Sequence, residues 1–163
     1  MNSSKSFQKS LTAGFTLIEL LVVVAIIGIL AAVILANIAA SRNSGVEAAV
    51  KANLSNVRNQ GEIFYNTNTA VPNTYTNVCT NGMVGGVLGI GAEILSAAKA
   101  NRLGSYDIDP QSGGTLTTAT CNDSAGAWAA EVPMTTAGIM WCADSTSASR
   151  QETVSIGTGT VCN

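Results

Sequence analysis

The 163-residue chain contains no histidine. That removes the commonest general base, proton shuttle and metal ligand together. Charge is scarce as well: Asp, Glu, Lys and Arg make up 11% of the residues, and Lys and Arg form no cluster. Phosphate binding relies on clustered cations, so a dedicated nucleic-acid surface is not expected. Aromatic residues amount to 5%, and beyond Val50 the chain is rich in Ala, Thr, Ser, Asn and Gly. The C-terminal part therefore has a thin core. Small domains with thin cores usually need staples, and four cysteines are present. With no histidine and no carboxylate pair of evident role, neither a catalytic residue nor a cofactor is expected.

What the chain does have is an apolar run. From Leu20 to Ala36 no residue is polar or charged, and Phe15–Ala36 amounts to 22 residues. A bilayer core needs roughly 20 mostly apolar residues in a helix. Phe15–Ala36 is long enough to span, with Lys5 and Lys9 holding its N-terminal side in the cytoplasm. Lipid offers backbone groups no partner, so the segment is expected to be helical. Glu19 interrupts the block. A carboxylate near a membrane core costs roughly 2.5–3.5 kcal/mol on insertion scales, so Glu19 needs either an interfacial position, a partner or a function.

Gly14-Phe15-Thr16-Leu17-Ile18-Glu19 abuts the run directly, reading GFTLIELLVVVAIIGILAA. Here the sequence resembles the type IV prepilin family, which includes the pseudopilins of type II secretion. The likeness covers Ala13 to about Val33. It implies that a prepilin peptidase cuts between Gly14 and Phe15 and methylates the new amino group of Phe15, leaving the apolar helix on the protein. An ordinary signal peptide loses its apolar part instead. Removing residues 1–14 takes the formal charge from −2 to −4. The resemblance also implies that the Glu19 carboxylate meets the Phe15 amine of a neighbouring subunit. Such a pair attracts strongly in a low-dielectric bundle, although desolvation offsets much of the gain. One position departs from the common family pattern: Ala36 stands where many members carry a proline.

After Ala36 the composition becomes polar, but an apolar stripe continues at Val46, Val50, Leu54, Val57, Gly61 and Phe64, at helical spacing. A single helix is expected from Phe15 to about Tyr65, apolar all round in its first half and amphipathic in its second. Asn66–Asn81 reads as a surface loop. Met83–Gly91 (MVGGVLGIG) lacks the spacing of a phosphate-binding loop and reads as a packed turn leading into a helix over Ala92–Asn101. Short β-prone stretches follow at Thr115–Cys121, Ala127–Pro133, Gly138–Ala143 and Thr153–Val161, separated by turn clusters such as Gln111–Gly114. Trp128 and Trp141 are the largest apolar groups and are expected to pack between sheet and helix.

The cysteines are Cys79, Cys121, Cys142 and Cys162. An even number in an exported domain points to two disulfides, and spacing leaves all three pairings open. The resemblance favours Cys142–Cys162, because many pilins close a C-terminal loop in this way, with Cys79–Cys121 then tying the loop after the stem to the sheet. No CxxC spacing supports a zinc site, and no metal is expected. Asp107 and Asp109 beside Pro110, and Asp144 with Glu152, match no EF-hand loop and read as solvated turns. The sequons at Asn53 and Asn122 carry little weight as glycan sites.

The expected fold is thus α+β: a leader over 1–14, a transmembrane and polymerisation helix over 15–36, its amphipathic continuation over 37–65, and a disulfide-bonded head over 66–163 with a small antiparallel sheet of three or four strands. The function implied is that of a type IV pilus structural subunit. Its partners would be other copies of itself, prepilin peptidase, an inner-membrane assembly platform and, before assembly, the lipid bilayer. A pseudopilin shares the same stem. A non-polymerising binding module, membrane-anchored through an uncleaved signal or secreted after a conventional cut following Ala39 or Ala40, is the reading from a different class.

Overall fold

The structure, a computed structural model, describes residues 14–103, 106–108 and 113–163. Residues 1–13 of the sequence-predicted leader over 1–14, Asp109 with Pro110, and the Gln111-Ser112 part of the turn cluster lie outside the described residues. Helix α1 runs Leu17–Thr67, within two residues of the expected limits at either end. Position 36 is helical, alanine imposing none of the steric interruption of a proline. The chain divides into two compact units, Met1–Ala40 and Ser41–Asn163.

In the second unit, α1 is followed by strands β1 (Met83–Val84) and β2 (Val87–Leu88), helix α2 (Gly91–Ala100), and strands β3 (Tyr106–Asp107), β4 (Ala119–Asp123), β5 (Trp128–Pro133), β6 (Met140–Asp144) and β7 (Ser149–Glu152). The sheet order is β3-β4-β5-β6-β7. The four strands β4 to β7 pair antiparallel, and β3 adds a two-residue parallel edge. The fold is α+β with a long N-terminal helix, as the sequence predicts.

Two local expectations are corrected. Met83–Gly91 is not merely a packed turn. β1 and β2 form a hairpin with Met83 opposite Leu88 and Val84 opposite Val87. Gly85 and Gly86 sit at its tip with φ of 55° and 83°, the pair of positive φ values that a tight hairpin turn requires. Thr153–Val161 is not a strand. The last strand is Ser149–Glu152, and the segment after it is held by side chains from below rather than by a backbone ladder.

The sheet is covered on both faces, and the two coverings differ in chemistry. On one face Ala119, Cys121, Trp128, Ala130, Val132 and Ala143 join Val50, Leu54, Val57 and Phe64 of α1 and Ile94, Ala97 and Ala98 of α2 in one apolar cluster. Trp128 is fully buried and is the largest such side chain. It fits because Gly61 of α1 is bare: a Cβ there would lie 2.9 Å from Trp128 Nε1 and 3.1 Å from Cζ2. Trp141 is only partly buried; Lys51 Nζ lies 4.8 Å from its ring centroid, and its indole N–H donates to Ser149 Oγ at 3.3 Å.

The other face is overlaid by the C-terminal segment Thr153–Asn163. Its apolar layer is small, comprising Ala129, Cys142, Ile156 and Cys162. Polar side chains from four consecutive strands carry the rest. Asn122 in β4 donates to the carbonyls of Gly157 and Gly159, both at 2.8 Å. Glu131 in β5 accepts from the Ile156 amide at 3.0 Å and from the Ser155 hydroxyl. Asp144 in β6 accepts from the Cys162 amide at 2.9 Å. Arg150 in β7 donates to the carbonyls of Cys162 at 2.7 Å and Asn163 at 2.9 Å. Asn122 is fully buried by this layer, so its sequon offers no surface acceptor.

Burial pushes the Glu131 carboxyl up, opposed by the Ser155 and Ile156 bonds and reinforced by Glu152. Asp144 ends below its ordinary value: burial raises it, but four hydrogen bonds from Cys162, Thr146 and Ala148 prevail.

Two outcomes are expected. Gly61→Leu should lower the unfolding free energy of the head by about 1–3 kcal/mol through overpacking against Trp128, even though the helix-propensity change alone favours it by roughly 1 kcal/mol; urea denaturation followed by tryptophan fluorescence measures it. A raised folded pKa at Glu131 means that the native state binds more protons than the unfolded one. Its contribution is therefore fully present below the unfolded value of about 4.3 and is lost as pH rises through the folded value. Glu131→Gln should flatten that fall above about pH 4, while the opposite loss from Asp144, below about pH 4, remains.

Candidate functional site

The first unit carries the residues that the sequence singles out at the N-terminus. Gly14, Phe15 and Thr16 precede the helix, and Leu17 is its first residue. From Phe15 to Ile38 the large apolar side chains are exposed, Phe15 and Leu17 at 88%. By length and composition this is a helix able to cross a membrane.

Helix entry is governed by a reciprocal pair. Glu19 Oε2 accepts from the backbone N–H of Thr16 and from its hydroxyl, both at 2.8 Å. The Glu19 amide in turn donates to Thr16 Oγ1 at 3.3 Å. This is a capping box, in which a hydroxyl residue at the cap and a carboxylate three residues on satisfy each other's orphan amides. It also sets a negative charge at the positive end of the helix dipole. Thr16 was not among the residues expected to matter. The signal was legible: Thr-x-x-Glu immediately before an apolar run is a helix-start pattern.

In the second unit, disulfides join Cys79 to Cys121 and Cys142 to Cys162, with Cα–Cα separations of 5.7 and 5.9 Å. The first ties the segment after α1 to β4. The second ties β6 to the C-terminal segment. Asp123 reinforces the first tie, accepting from the amides of Asn77 at 3.2 Å and Cys79 at 3.0 Å. Glu152 lies beside Cys142 and Cys162, with ligand-type atoms within 4.8 Å of one another, but both sulfurs are engaged in the disulfide. The acidic pair Asp144 and Glu152 is not a solvated turn: both are buried, Asp144 on backbone amides and Glu152 beside Arg150.

Residues 9–35 match the family model for the prokaryotic N-terminal methylation motif. That motif is the type IV prepilin and pseudopilin signature, and it supports a pilin- or pseudopilin-type protein with a hydrophobic N-terminal helix. The motif implies processing by prepilin peptidase, and with the apolar helix it is consistent with membrane anchoring. No curated protein and no solved structure matches the chain significantly.

Thr16→Val removes the hydroxyl from the capping box. A lost N-cap costs about 1 kcal/mol, so hydrogen exchange at the Glu19 amide, which the Thr16 hydroxyl caps, should accelerate roughly fivefold. Amide exchange of the protein in detergent micelles checks this.

Proposed function

We propose that this chain is a structural subunit of a type IV pilus. Prepilin peptidase cuts it between Gly14 and Phe15 and methylates the Phe15 amine. Phe15–Ala36 then anchors it in the cytoplasmic membrane with the head outside. The assembly platform of the inner membrane moves it from lipid into a filament, where its helix packs against copies of itself. The protein is not an enzyme in this reading; adhesion, motility or DNA uptake would be properties of the filament.

The observation that carries the reading is the placement of Gly14, Phe15 and Glu19 against an apolar helix. The exposed apolar surface from Phe15 to Ile38 needs a non-aqueous cover. A bilayer supplies one before assembly, and neighbouring helices supply one afterwards. Glu19 is the one charge in that surface. Cleavage creates a cationic amine at Phe15, four residues earlier. Pairing of that amine with Glu19 of an adjacent copy neutralises both groups where water is absent. Its chief value is register, because a misplaced subunit leaves a carboxylate unpaired in a low-dielectric environment.

Co-expression with a prepilin peptidase and an assembly platform tests this. The mature mass is expected to correspond to residues 15–163 plus one methyl group, and shearing should release long filaments visible by electron microscopy. Glu19→Leu should still enter the membrane fraction but yield no regular filaments. Regular filaments from Glu19→Leu at wild-type yield would overturn the role of Glu19. A mature chain beginning near residue 40 would overturn the anchoring scheme, and short stubs alone would favour a pseudopilin.

A further inference from the structure

The outer face of the sheet holds a buried carboxylate with one oxygen unpartnered. Glu152 is 6% exposed. Its Oε1 accepts from Arg150 Nε at 3.2 Å, whereas Oε2 is buried without a hydrogen-bond partner. Buried polar atoms are seldom left unsatisfied, and each such atom calls for an explanation. The surroundings supply one. Met140 stands opposite Glu152 in the sheet and Cys142 opposite Arg150, so Glu152 is the diagonal neighbour of Cys142 on one face. A Glu152 carboxylate oxygen and the two sulfurs of Cys142 and Cys162 all lie within 4.8 Å of one another.

The other disulfide is built differently. Asp123 stands near Cys79, but its two oxygens are taken by the Asn77 and Cys79 amides. Among the described residues, the grouping of two cysteine sulfurs with a carboxylate occurs at Cys142–Cys162.

We propose that Glu152 is the proton acceptor for closure of the Cys142–Cys162 disulfide. Before oxidation Cys162 lies on the C-terminal segment, whose hold on the sheet is mainly polar, so it is the sulfur that an external disulfide can reach. Its thiolate attacks the disulfide of an oxidant, either a small-molecule disulfide or a thiol–disulfide oxidoreductase. A mixed disulfide forms and one thiol leaves. Cys142 is fully buried once the segment covers it, and burial beside the Glu131 and Glu152 carboxylates holds a thiol protonated and unreactive. As the segment docks, Glu152 Oε2 takes the Cys142 proton. The Cys142 thiolate attacks Cys162 Sγ, the S–S bond forms, and the bond to the oxidant breaks. The departing thiolate recovers a proton, which returns Glu152 to its carboxylate form. Two protein thiols and one disulfide become one protein disulfide and two thiols, so atoms and electrons balance.

The charged groups that face Glu152 are Arg150 on β7, Asp144 on β6 and Glu131 on β5. Burial pushes the Glu152 carboxyl up, against the pull of Arg150 and the Asn163 amide, and Asp144 adds to the rise. A carboxyl shifted toward neutrality is a better match for a thiol proton than an ordinary one.

The test uses the full chain in detergent micelles, reduced with a dithiol and transferred into oxidised glutathione. Acid quenching and peptide mass mapping follow each disulfide separately. The expected result is that Glu152→Gln closes Cys142–Cys162 at least about tenfold more slowly than wild type, the low end of what a positioned base contributes. Its rate should rise with hydroxide, whereas the wild-type rate levels off once the carboxylate is ionised. Closure of Cys79–Cys121 should be unchanged in the variant, and Glu152→Asp should recover part of the lost rate. Unchanged or faster closure of Cys142–Cys162 in Glu152→Gln overturns the proposal, as does equal slowing of both disulfides.

Discussion

The indole of Trp128 pressed against bare backbone at Gly61 sets how the head is built. An aromatic group of that size buries 150–250 Å² in general, far more than Ala129 and Ala130, which follow it in the same strand, contribute. Its seat requires one position of α1 without a side chain, and Gly61 supplies that position within a stripe of Val50, Leu54, Val57 and Phe64. The helix gives up roughly 1 kcal/mol of propensity at the glycine and gains close approach of the sheet. Strand β5, which carries Trp128, lies at the centre of the five-stranded order, so the contact is made from the middle of the sheet.

The opposite face of the sheet solves a different problem. A chain poor in aromatics does not fill two apolar layers. Its second layer is accordingly a polar lattice, in which Asn122, Glu131, Asp144 and Arg150 hold the backbone of the C-terminal segment. Hydrogen bonds to charged groups are stronger than neutral ones, but a lattice of this kind is costly if any member is left unpaired. The Cys142–Cys162 disulfide crosses the same layer and reduces the entropy of the unpinned segment, an effect typically worth about 2–4 kcal/mol. Covalent and polar restraints thus take the place of apolar bulk on that side.

At the N-terminus the governing constraint is electrostatic. A helix that is apolar all round tolerates a carboxylate only where something answers its charge. In the single chain the answer is local, from the amide and hydroxyl of Thr16. In a polymer, the proposed answer is the amine of a neighbour. The capping box holds Glu19 in a defined position at the helix entrance, where a cation approaching from outside the helix would meet it.

Much of this was legible in the residues. The stem helix followed from an unbroken apolar run and then a stripe at helical spacing, both local signals. Three of the four antiparallel strands, β4, β5 and β6, followed from β-prone stretches between turns, and the Thr16–Glu19 box stood in plain view as Thr-x-x-Glu. Thr153–Val161 misled, because its valines and threonines have strand propensity, while what decides its conformation is a set of side chains from β4 to β7. β5 carries no alternation, since both of its faces are buried. The buried state of Glu131, Asp144 and Glu152 was equally invisible, because acidic residues are exposed by default. By itself the sequence determined the helix, its apolar character and the charged residues at its start, since periodicity and composition act within a few neighbours. Only the tertiary structure decided which polar groups lie inside, which cysteines meet and what lies beside their sulfurs, since those contacts join residues from about ten to more than forty positions apart.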